Sequence, residues 1–335
     1  MVSGTKQSQY QSPLKATFTG IRDLFRKQIP AGELTDRDRL DGKRVMITGA
    51  SSGLGFATAV AMAQRGAEVI MACRSGIPHK GEKVKQLSGS DKVNMFHVDL
   101  SDLLSIEKLA VHLKEAFGSI DILVCNAAVV PRQSRKTPQG FEQMFVVNYF
   151  SKFLLVNWLL EKGVLAGGDG RVPRIIFVSS ESHRNPKTFH LEGFGEYHEF
   201  GIKKVMERYG YYKLLLTTFA IELSRRLNPG DRPGYSVFAL CPGPVNSNIA
   251  REAPKVFRPL LKLVFSLFFR SPRKACIPVV YLAASPDVEG RANDYLFLMS
   301  RKAVDSKAAD PVNGRQLWEV SESLRNSLRK QDPRE

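Results

Sequence analysis

The feature that most constrains the fold is a glycine-rich turn that joins a short apolar strand to a helix. The apolar run is Arg44–Thr48, and Gly49, Gly53 and Gly55 follow it at the mouth of a helical pattern that extends to Arg65. Glycines at such a turn allow a tight bend and let the backbone approach a pyrophosphate, which the free amides of the helix N-terminus bind. The turn therefore predicts a dinucleotide site.

Strand-like and helix-like segments alternate along the rest of the chain, without an internal repeat. Further strands are predicted at Glu68–Cys73, Val93–Val98, Asp121–Cys125, Arg174–Val178, Tyr235–Leu240 and Tyr295–Leu298, and further helices at Asp102–Phe117, about 140–160 and Tyr209–Leu227. This alternation indicates a parallel sheet with helices on both faces. We predict an α/β fold: one doubly wound, Rossmann-type domain over residues 41–330 with a seven-stranded parallel sheet. A basic, partly disordered arm at residues 1–40 precedes it.

Composition narrows the function classes. The net charge of +16 suits a phosphate-bearing cofactor or an anionic membrane surface. No zinc finger or RNA-binding aromatic motif accompanies it, so we expect no nucleic-acid partner. The four cysteines show no C-x-x-C spacing, which predicts a reducing compartment and no metal site. The absence of a signal-peptide core and of a long apolar run predicts a cytoplasmic protein without a transmembrane helix.

The end of the second predicted strand indicates which cofactor binds. NAD sites place an acid there to hold the ribose 2′-hydroxyl, whereas this strand ends in Arg74. A guanidinium can bind a 2′-phosphate with two hydrogen bonds, so we expect NADP(H). The alternative is a solvated basic loop, because Lys80, Lys83 and Lys85 lie nearby in the sequence.

A tyrosine and a lysine four residues apart, Tyr209 and Lys213, lie on one face of a predicted helix. An ammonium beside a phenol stabilises the phenolate and lowers the phenol's pKa, which suits acid–base catalysis. Such pairs also occur on surface helices without any catalytic role. The catalytic interpretation of this pair therefore depends on the other motifs of the chain.

Together, the motifs resemble the short-chain dehydrogenase/reductase family over most of the chain, from about residue 43 to 324. The resemblance implies four catalytic residues, which are Ser180, Tyr209, Lys213 and Asn148. It also implies cofactor contacts from the glycine motif, an acid after the third strand, an Asn-Ala turn, the Tyr-Lys pair and a Pro-Gly segment. These contacts are Gly49, Ser51, Ser52, Gly53, Leu54, Gly55, Arg74, Asp99, Asn126, Ala127, Tyr209, Lys213, Pro242, Gly243, Val245 and Ser247.

The family's chemistry implies a role for each catalytic residue. Tyr209 exchanges a proton with the substrate oxygen, and Lys213 holds the ribose hydroxyls and lowers the pKa of Tyr209. Ser180 hydrogen-bonds the substrate oxygen, although the adjacent Ser179 is an alternative for this role. Asn148 seats a water that links the lysine to solvent.

Within the family, the chain resembles both the retinol-dehydrogenase-like reductases and the light-dependent protochlorophyllide reductases. Leu215 and Pro244 stand where the second group carries cysteines, so the resemblance favours a carbonyl reductase or alcohol dehydrogenase. Reduction of a ring double bond is the alternative within enzymes. The alternative of another class is a binding protein that senses NADP(H) without turnover.

Two stretches are predicted to shape the substrate site as a lid, at about 182–208 and 250–272. The first is a long loop with three histidines that fit no metal site and are expected at its surface. The second is apolar and flanked by basic residues, and is too short to cross a membrane. Both favour a lipophilic aldehyde, ketone, alcohol or retinoid-like substrate. The sequence leaves open peripheral contact with a membrane and pairing with a second copy of the chain.

Overall fold

The computed structural model describes residues 29–167, 172–245 and 270–330. Residues 1–28 of the predicted arm, Ser247 and most of the second lid stretch lie outside the described residues. The described chain forms one sheet whose strands are β1 (Arg44–Thr48), β2 (Glu68–Cys73), β3 (Val93–His97), β4 (Ile122–Cys125), β5 (Arg174–Val178), β6 (Ser236–Cys241), β7 (Asn293–Phe297) and β8 (Ser300–Arg301).

The strand order β3-β2-β1-β4-β5-β6-β7-β8 places β1 and β4 side by side at the centre. Strands β1 to β7 are parallel, and β8 pairs antiparallel with β7. The chain winds to one edge from β1 and to the other from β4, so the carboxyl ends of these two strands form the crevice where open α/β sheets bind ligands.

Nine α-helices lie within the described residues. They are α1 (Gly53–Gln64), α2 (His79–Ser88), α3 (Leu103–Phe117), α4 (Gln143–Phe145, then Ser151–Glu161), α5 (Ile202–Leu227), α6 (Pro272–Ala275), α7 (Ile277–Ala284), α8 (Ser306–Ala309) and α9 (Pro311–Lys330). A π-helical segment, Val146–Phe150, joins the two parts of α4.

The doubly wound fold is confirmed, but the sheet has eight strands where seven were predicted. The extra strand β8 has two residues, too few for an alternating pattern to show in a sequence. Helix α5 begins at Ile202 instead of Tyr209, because its first turns are mostly exposed and lack apolar periodicity. Helix α4 begins at Gln143, where the Glu142 carboxylate accepts a hydrogen bond from the Phe145 amide and caps it.

The core consists of two apolar clusters, one on each face of the sheet. Along β1, Met46 belongs to one cluster while its neighbours Val45 and Ile47 belong to the other, as the period of a strand requires. Part of the predicted arm also packs on the core. The Ala31 amide donates to the Met299 carbonyl at 2.6 Å, and Leu40 is buried.

The C-terminal helix α9 packs against α4 and α5. Its Trp318 indole lies 5.3 Å from the Phe153 ring of α4 and 5.9 Å from the Phe219 ring of α5. The Tyr149 hydroxyl bonds Ser321 at 2.7 Å. A homodimer stays a prediction. None of the helices in the described ranges is both long and apolar enough to cross a bilayer.

Candidate active site

The glycine turn between β1 and α1 is shaped to let another molecule approach its backbone. Gly49 and Gly53 adopt φ angles of 67° and 55°, which favour glycine. A side chain at Gly55 would place its Cβ 2.5 Å from the Asn126 amide nitrogen and from the Gly49 carbonyl oxygen. Ser52 precedes α1 without capping it through its side chain, so the first amides of the helix are left for a ligand.

Asn126 fastens the turn after β4 to the end of β1. Its side-chain amide donates to the Thr48 carbonyl at 2.9 Å and to the Gly49 carbonyl at 3.3 Å. The Thr48 hydroxyl accepts hydrogen bonds from the backbone amides of Asn126 and Ala127. The two predicted cofactor turns are therefore one hydrogen-bonded unit at the carboxyl edge of the sheet.

The end of β2 brings Arg74 close to Asp99. The Arg74 Nη1 atom lies 4.0 Å from the Asp99 Oδ2 atom, and 63% of the Arg74 side chain is exposed. Asp99 is also held by the Ser101 hydroxyl, which donates to it at 2.6 Å. An exposed pair at this distance contributes little to stability, so the guanidinium is available to a stronger anion.

Tyr209, Ser180 and Lys213 meet at the ends of β5 and β6. The Ser180 side chain is close enough to the Tyr209 hydroxyl to lower the pKa of that group. The Lys213 ammonium lies 5.6 Å from the centre of the Tyr209 ring and donates to the Val178 carbonyl at 2.7 Å. Three of the four predicted catalytic side chains are thus together.

The electrostatics of this cluster differ from the sequence expectation. Burial, followed by the neighbouring Cys241 thiol, raises the pKa of Tyr209, and the Ser180 hydrogen bond only partly opposes this. Burial lowers the pKa of Lys213 to about 8. Desolvation therefore dominates the pKa of Tyr209, and this residue keeps its proton at neutral pH.

The two adjacent serines face different surroundings. The Ser179 hydroxyl is buried and bonds the Thr217 hydroxyl of α5 at 2.7 Å. The Ser180 hydroxyl contacts Tyr209 and accepts a hydrogen bond from the Ser182 amide at 3.2 Å. The geometry therefore favours Ser180 over Ser179 as the residue that faces the substrate.

Asn148 lies in the π-helical segment of α4 and is fully buried. Its side chain exchanges two hydrogen bonds with the Val129 backbone, accepting at 2.8 Å and donating at 2.9 Å. It therefore clamps the chain just after the Asn126–Ala127 turn. The sequence alone did not indicate this clamp, because Val129 lies 19 positions before Asn148 and outside its helix.

Sequence reasoning missed the role of His183, which was expected at the loop surface. The ring is completely buried and bridges two backbones. Its Nε2 atom accepts from the Asp305 amide at 3.2 Å, which leaves the proton on Nδ1 to bond the Ser180 carbonyl at 2.7 Å. Burial, then the nearby Arg184 charge, lowers the pKa of His183 to about 4, so the ring is neutral at pH 7.

Glu181 adds a second brace to the same loop. Its carboxylate accepts hydrogen bonds from the Tyr295 hydroxyl at 2.9 Å and from Lys302 at 2.5 Å, and pairs with Arg184 at 3.1 Å. Burial alone would raise the pKa of Glu181, but Arg184 and Lys302 outweigh it and lower the pKa. The segment after β8 therefore holds the Ser180 loop in place.

The Pro-Gly segment after β6 lies at the same carboxyl edge of the sheet as the other predicted site residues. Gly243 has a φ of 80°, and a Cβ there would lie 2.6 Å from Leu298. Pro242 precedes it, and Val245 forms a bridge with Arg270. Cys241, at the end of β6, is close enough to Tyr209 to raise that residue's pKa. The predicted cofactor contacts Pro242, Gly243 and Val245 therefore lie in the chain directly after Cys241, the neighbour of Tyr209.

The first predicted lid stretch, 182–208, is packed against the domain at several points. Phe194 contacts the rings of Phe145 and Tyr149 at 5.1 and 6.1 Å. His190 stacks on Tyr211 at 4.9 Å. The middle of this stretch lies against α4 and α5, and a role as a wall of the substrate site stays a prediction.

Comparisons with known proteins agree with this geometry. A family model described as short chain dehydrogenase matches residues 43–190. Retinol dehydrogenase 14 of Mus musculus is 33% identical over 308 residues, which cover 86% of this chain and 87% of the relative. The chain belongs to the short-chain dehydrogenase/reductase family.

Other members of the family extend the match. Retinol dehydrogenase 13 of Homo sapiens is 31% identical over 330 residues, covering 95% of both chains. A solved structure of an uncharacterized protein from Mycobacterium paratuberculosis is 28% identical, covers 89% of this chain and 97% of its own, and has a TM-score of 0.65. The predicted likeness to retinol-dehydrogenase-like members is confirmed. The family are oxidoreductases that use NAD or NADP.

Proposed function

We propose that the protein is an NADP(H)-dependent oxidoreductase that interconverts a lipophilic aldehyde or ketone and the corresponding alcohol. The observation that carries the proposal is the cluster in which the Lys213 ammonium lies 5.6 Å from the centre of the Tyr209 ring while Ser180 lies close to the Tyr209 hydroxyl. A proton donor, a second hydroxyl and a buried cation are what reduction of a carbonyl requires.

The residues at the glycine turn fit the cofactor. The uncapped helix start after Ser52 suits a pyrophosphate. The lack of side chains at Gly49 and Gly55 lets the turn pack against Ala127 and Asn126, which holds those free amides in place. When bound, the cofactor supplies or accepts the hydride. Other residues proposed to hold it are Ser51, Leu54, Asp99, Asn126, Ala127, Pro242, Gly243, Val245 and Ser247.

Arg74 supports NADP(H) over NAD(H). Its mostly exposed guanidinium can pair with a 2′-phosphate, which carries more charge than the Asp99 carboxylate that lies 4.0 Å away. The 2′-hydroxyl of NAD offers no such charge.

Proton transfer falls to Tyr209. Because burial raises its pKa, the phenol is protonated at neutral pH and can donate to the carbonyl oxygen as negative charge develops there. Ser180 donates a hydrogen bond to the same oxygen. Lys213 stabilises the phenolate that remains, and Asn148 keeps the turn at Val129 in place beside it.

The lipophilic substrate class is supported by two retinol dehydrogenases among the relatives. Retinol carries a primary alcohol on a long apolar chain, so a related site suits aldehydes and alcohols of that kind. Apolar side chains in the first lid stretch, such as Phe189 and Leu191, lie only partly buried against the core and are available to line such a site.

The test is nicotinamide oxidation in the dark with retinal, long-chain aldehydes and protochlorophyllide, using NADPH and NADH. We expect turnover of an aldehyde that Tyr209→Phe reduces by about 10²- to 10⁴-fold without loss of NADPH binding. Turnover of protochlorophyllide alone, and only in light, would establish the ring-reductase alternative. Tight NADPH binding without any turnover would establish the NADP(H)-sensing alternative.

A second variant tests the preference for NADP(H) over NAD(H). Arg74→Ala should weaken NADPH binding about tenfold and leave NADH binding unchanged, because a charge-assisted hydrogen bond to the 2′-phosphate is lost. Lys108→Ala, an exposed lysine of α3, is the control and should change neither affinity. Equal losses for both cofactors in Arg74→Ala would contradict a role at the 2′-phosphate.

A further inference from the structure

A second buried lysine, Lys152, lies one helical turn after Asn148 in α4. It is 2% exposed, and its ammonium donates to the Ala127 carbonyl at 2.7 Å and to the Val147 carbonyl. Within the described residues no carboxylate pairs with it. A buried cation held only by carbonyl groups is costly, and an apolar side chain would fill the same space at less cost.

The two carbonyls that Lys152 binds connect it to the active site. Ala127 belongs to the cofactor turn that Asn126 ties to β1. Val147 lies in the π-helical segment, directly before Asn148. Lys152 and Asn148 therefore fasten the same turn to the same helix, at residues 127 and 129.

The charged group that faces Lys152 is the Lys213 ammonium of α5. Burial, followed by repulsion from Lys213, lowers the pKa of Lys152 to about 7. From β4, the Cys125 thiol also faces Lys152, but burial raises its pKa to about 12 and keeps it neutral. Among the described residues, the Ala127 and Val147 carbonyls are therefore what holds Lys152 near neutral pH.

We propose that Lys152 is a positioning residue whose hydrogen bonds fix the cofactor turn to helix α4. The inference deepens the proposed function and rests on it, since the turn is positioned for the cofactor.

Two variants separate charge from hydrogen bonding. Lys152→Gln keeps an N–H donor for the carbonyls but removes the charge, whereas Lys152→Met removes both. Lys162→Gln is the control, since it removes a charge from the partly exposed end of the same helix. Thermal unfolding of each variant verifies that it is folded.

The readout is NADPH affinity, measured by the fluorescence of the bound cofactor. We expect the affinity to fall several-fold in Lys152→Met and to hold in Lys152→Gln and in Lys162→Gln, since only the first variant loses the bond to Ala127.

Unchanged NADPH affinity in folded Lys152→Met would overturn the inference. If Lys152→Met does not fold, Lys152→Arg takes its place, because it keeps the charge but alters the geometry of the hydrogen bonds. The binding measurement needs no turnover, so a failure of the proposed function and a failure of this inference are distinguishable.

Discussion

The cofactor half and the catalytic half of the site are held together in different ways. At the ends of β1 and β4 the turns bind each other directly, through Thr48 and Asn126. At the end of β5 the Ser180 loop is held by a segment more than a hundred residues later, through the contacts of His183 and Glu181 with Asp305 and Lys302. The first half is therefore built from its own motifs, whereas the second depends on the C-terminal part of the chain.

The difference teaches where each half is vulnerable. A change within the glycine turn acts directly on cofactor binding. A change near Ser180, or in the residues that brace it, acts on chemistry while the cofactor still binds. Variants that target one half at a time can break or sharpen this comparison.

The largest effect is expected from the two serines of the catalytic half. Ser180→Ala should lower kcat about 10²- to 10³-fold with unchanged NADPH affinity, because a donor to the substrate oxygen is lost. Ser179→Ala should keep kcat and lower the free energy of unfolding by about 1 kcal/mol, since only its bond to Thr217 disappears. Steady-state kinetics and urea unfolding measure both. The reverse pattern would transfer the catalytic role to Ser179.

The brace at His183 should make stability depend on pH. Because its folded pKa of about 4 lies below the ordinary 6.5, the stabilisation is complete above pH 6.5 and is lost as the pH falls toward 4. As the pH falls over this interval, the free energy of unfolding should decrease by about 3 kcal/mol more for the native protein than for His183→Asn. The exposed His112→Asn is the control and should behave like the native protein. If the free energy of unfolding changes with pH in the same way for the native protein and His183→Asn, the ring takes up its proton without losing its hydrogen bonds, which would contradict this prediction.

The smallest effect is expected at the glycine turn. Gly55→Ala places a methyl group against Asn126 and Gly49, so the free energy of NADPH binding should become about 1–3 kcal/mol less favourable. The fluorescence of bound NADPH measures this change. Gly230→Ala, where a Cβ meets open space, should leave the affinity unchanged. If Gly55→Ala binds normally but turns over slowly, the two halves are not separable in the way described.

The sequence predicted the parts of the site whose residues are close together in the chain. Alternation of strands and helices was enough for the doubly wound fold, and the glycine turn was enough for the crevice at β1. Tyr209 and Lys213 share one helix face, so their contact followed from their spacing. The contacts of Lys152 with Ala127 and of His183 with Asp305 could not be predicted, because each joins segments that only the folded sheet brings together. The raised pKa of Tyr209 was missed for the same reason, since burial is a property of the fold.

The most direct test of the central claim is to follow the hydrogen itself. NADPH that carries deuterium at both C4 positions of the nicotinamide is incubated in the dark with retinal or a long-chain aldehyde, and the product is analysed by mass spectrometry. The proposed function predicts an alcohol that has gained one deuterium. Bound NADPH with no deuterated alcohol from any of these substrates would contradict it.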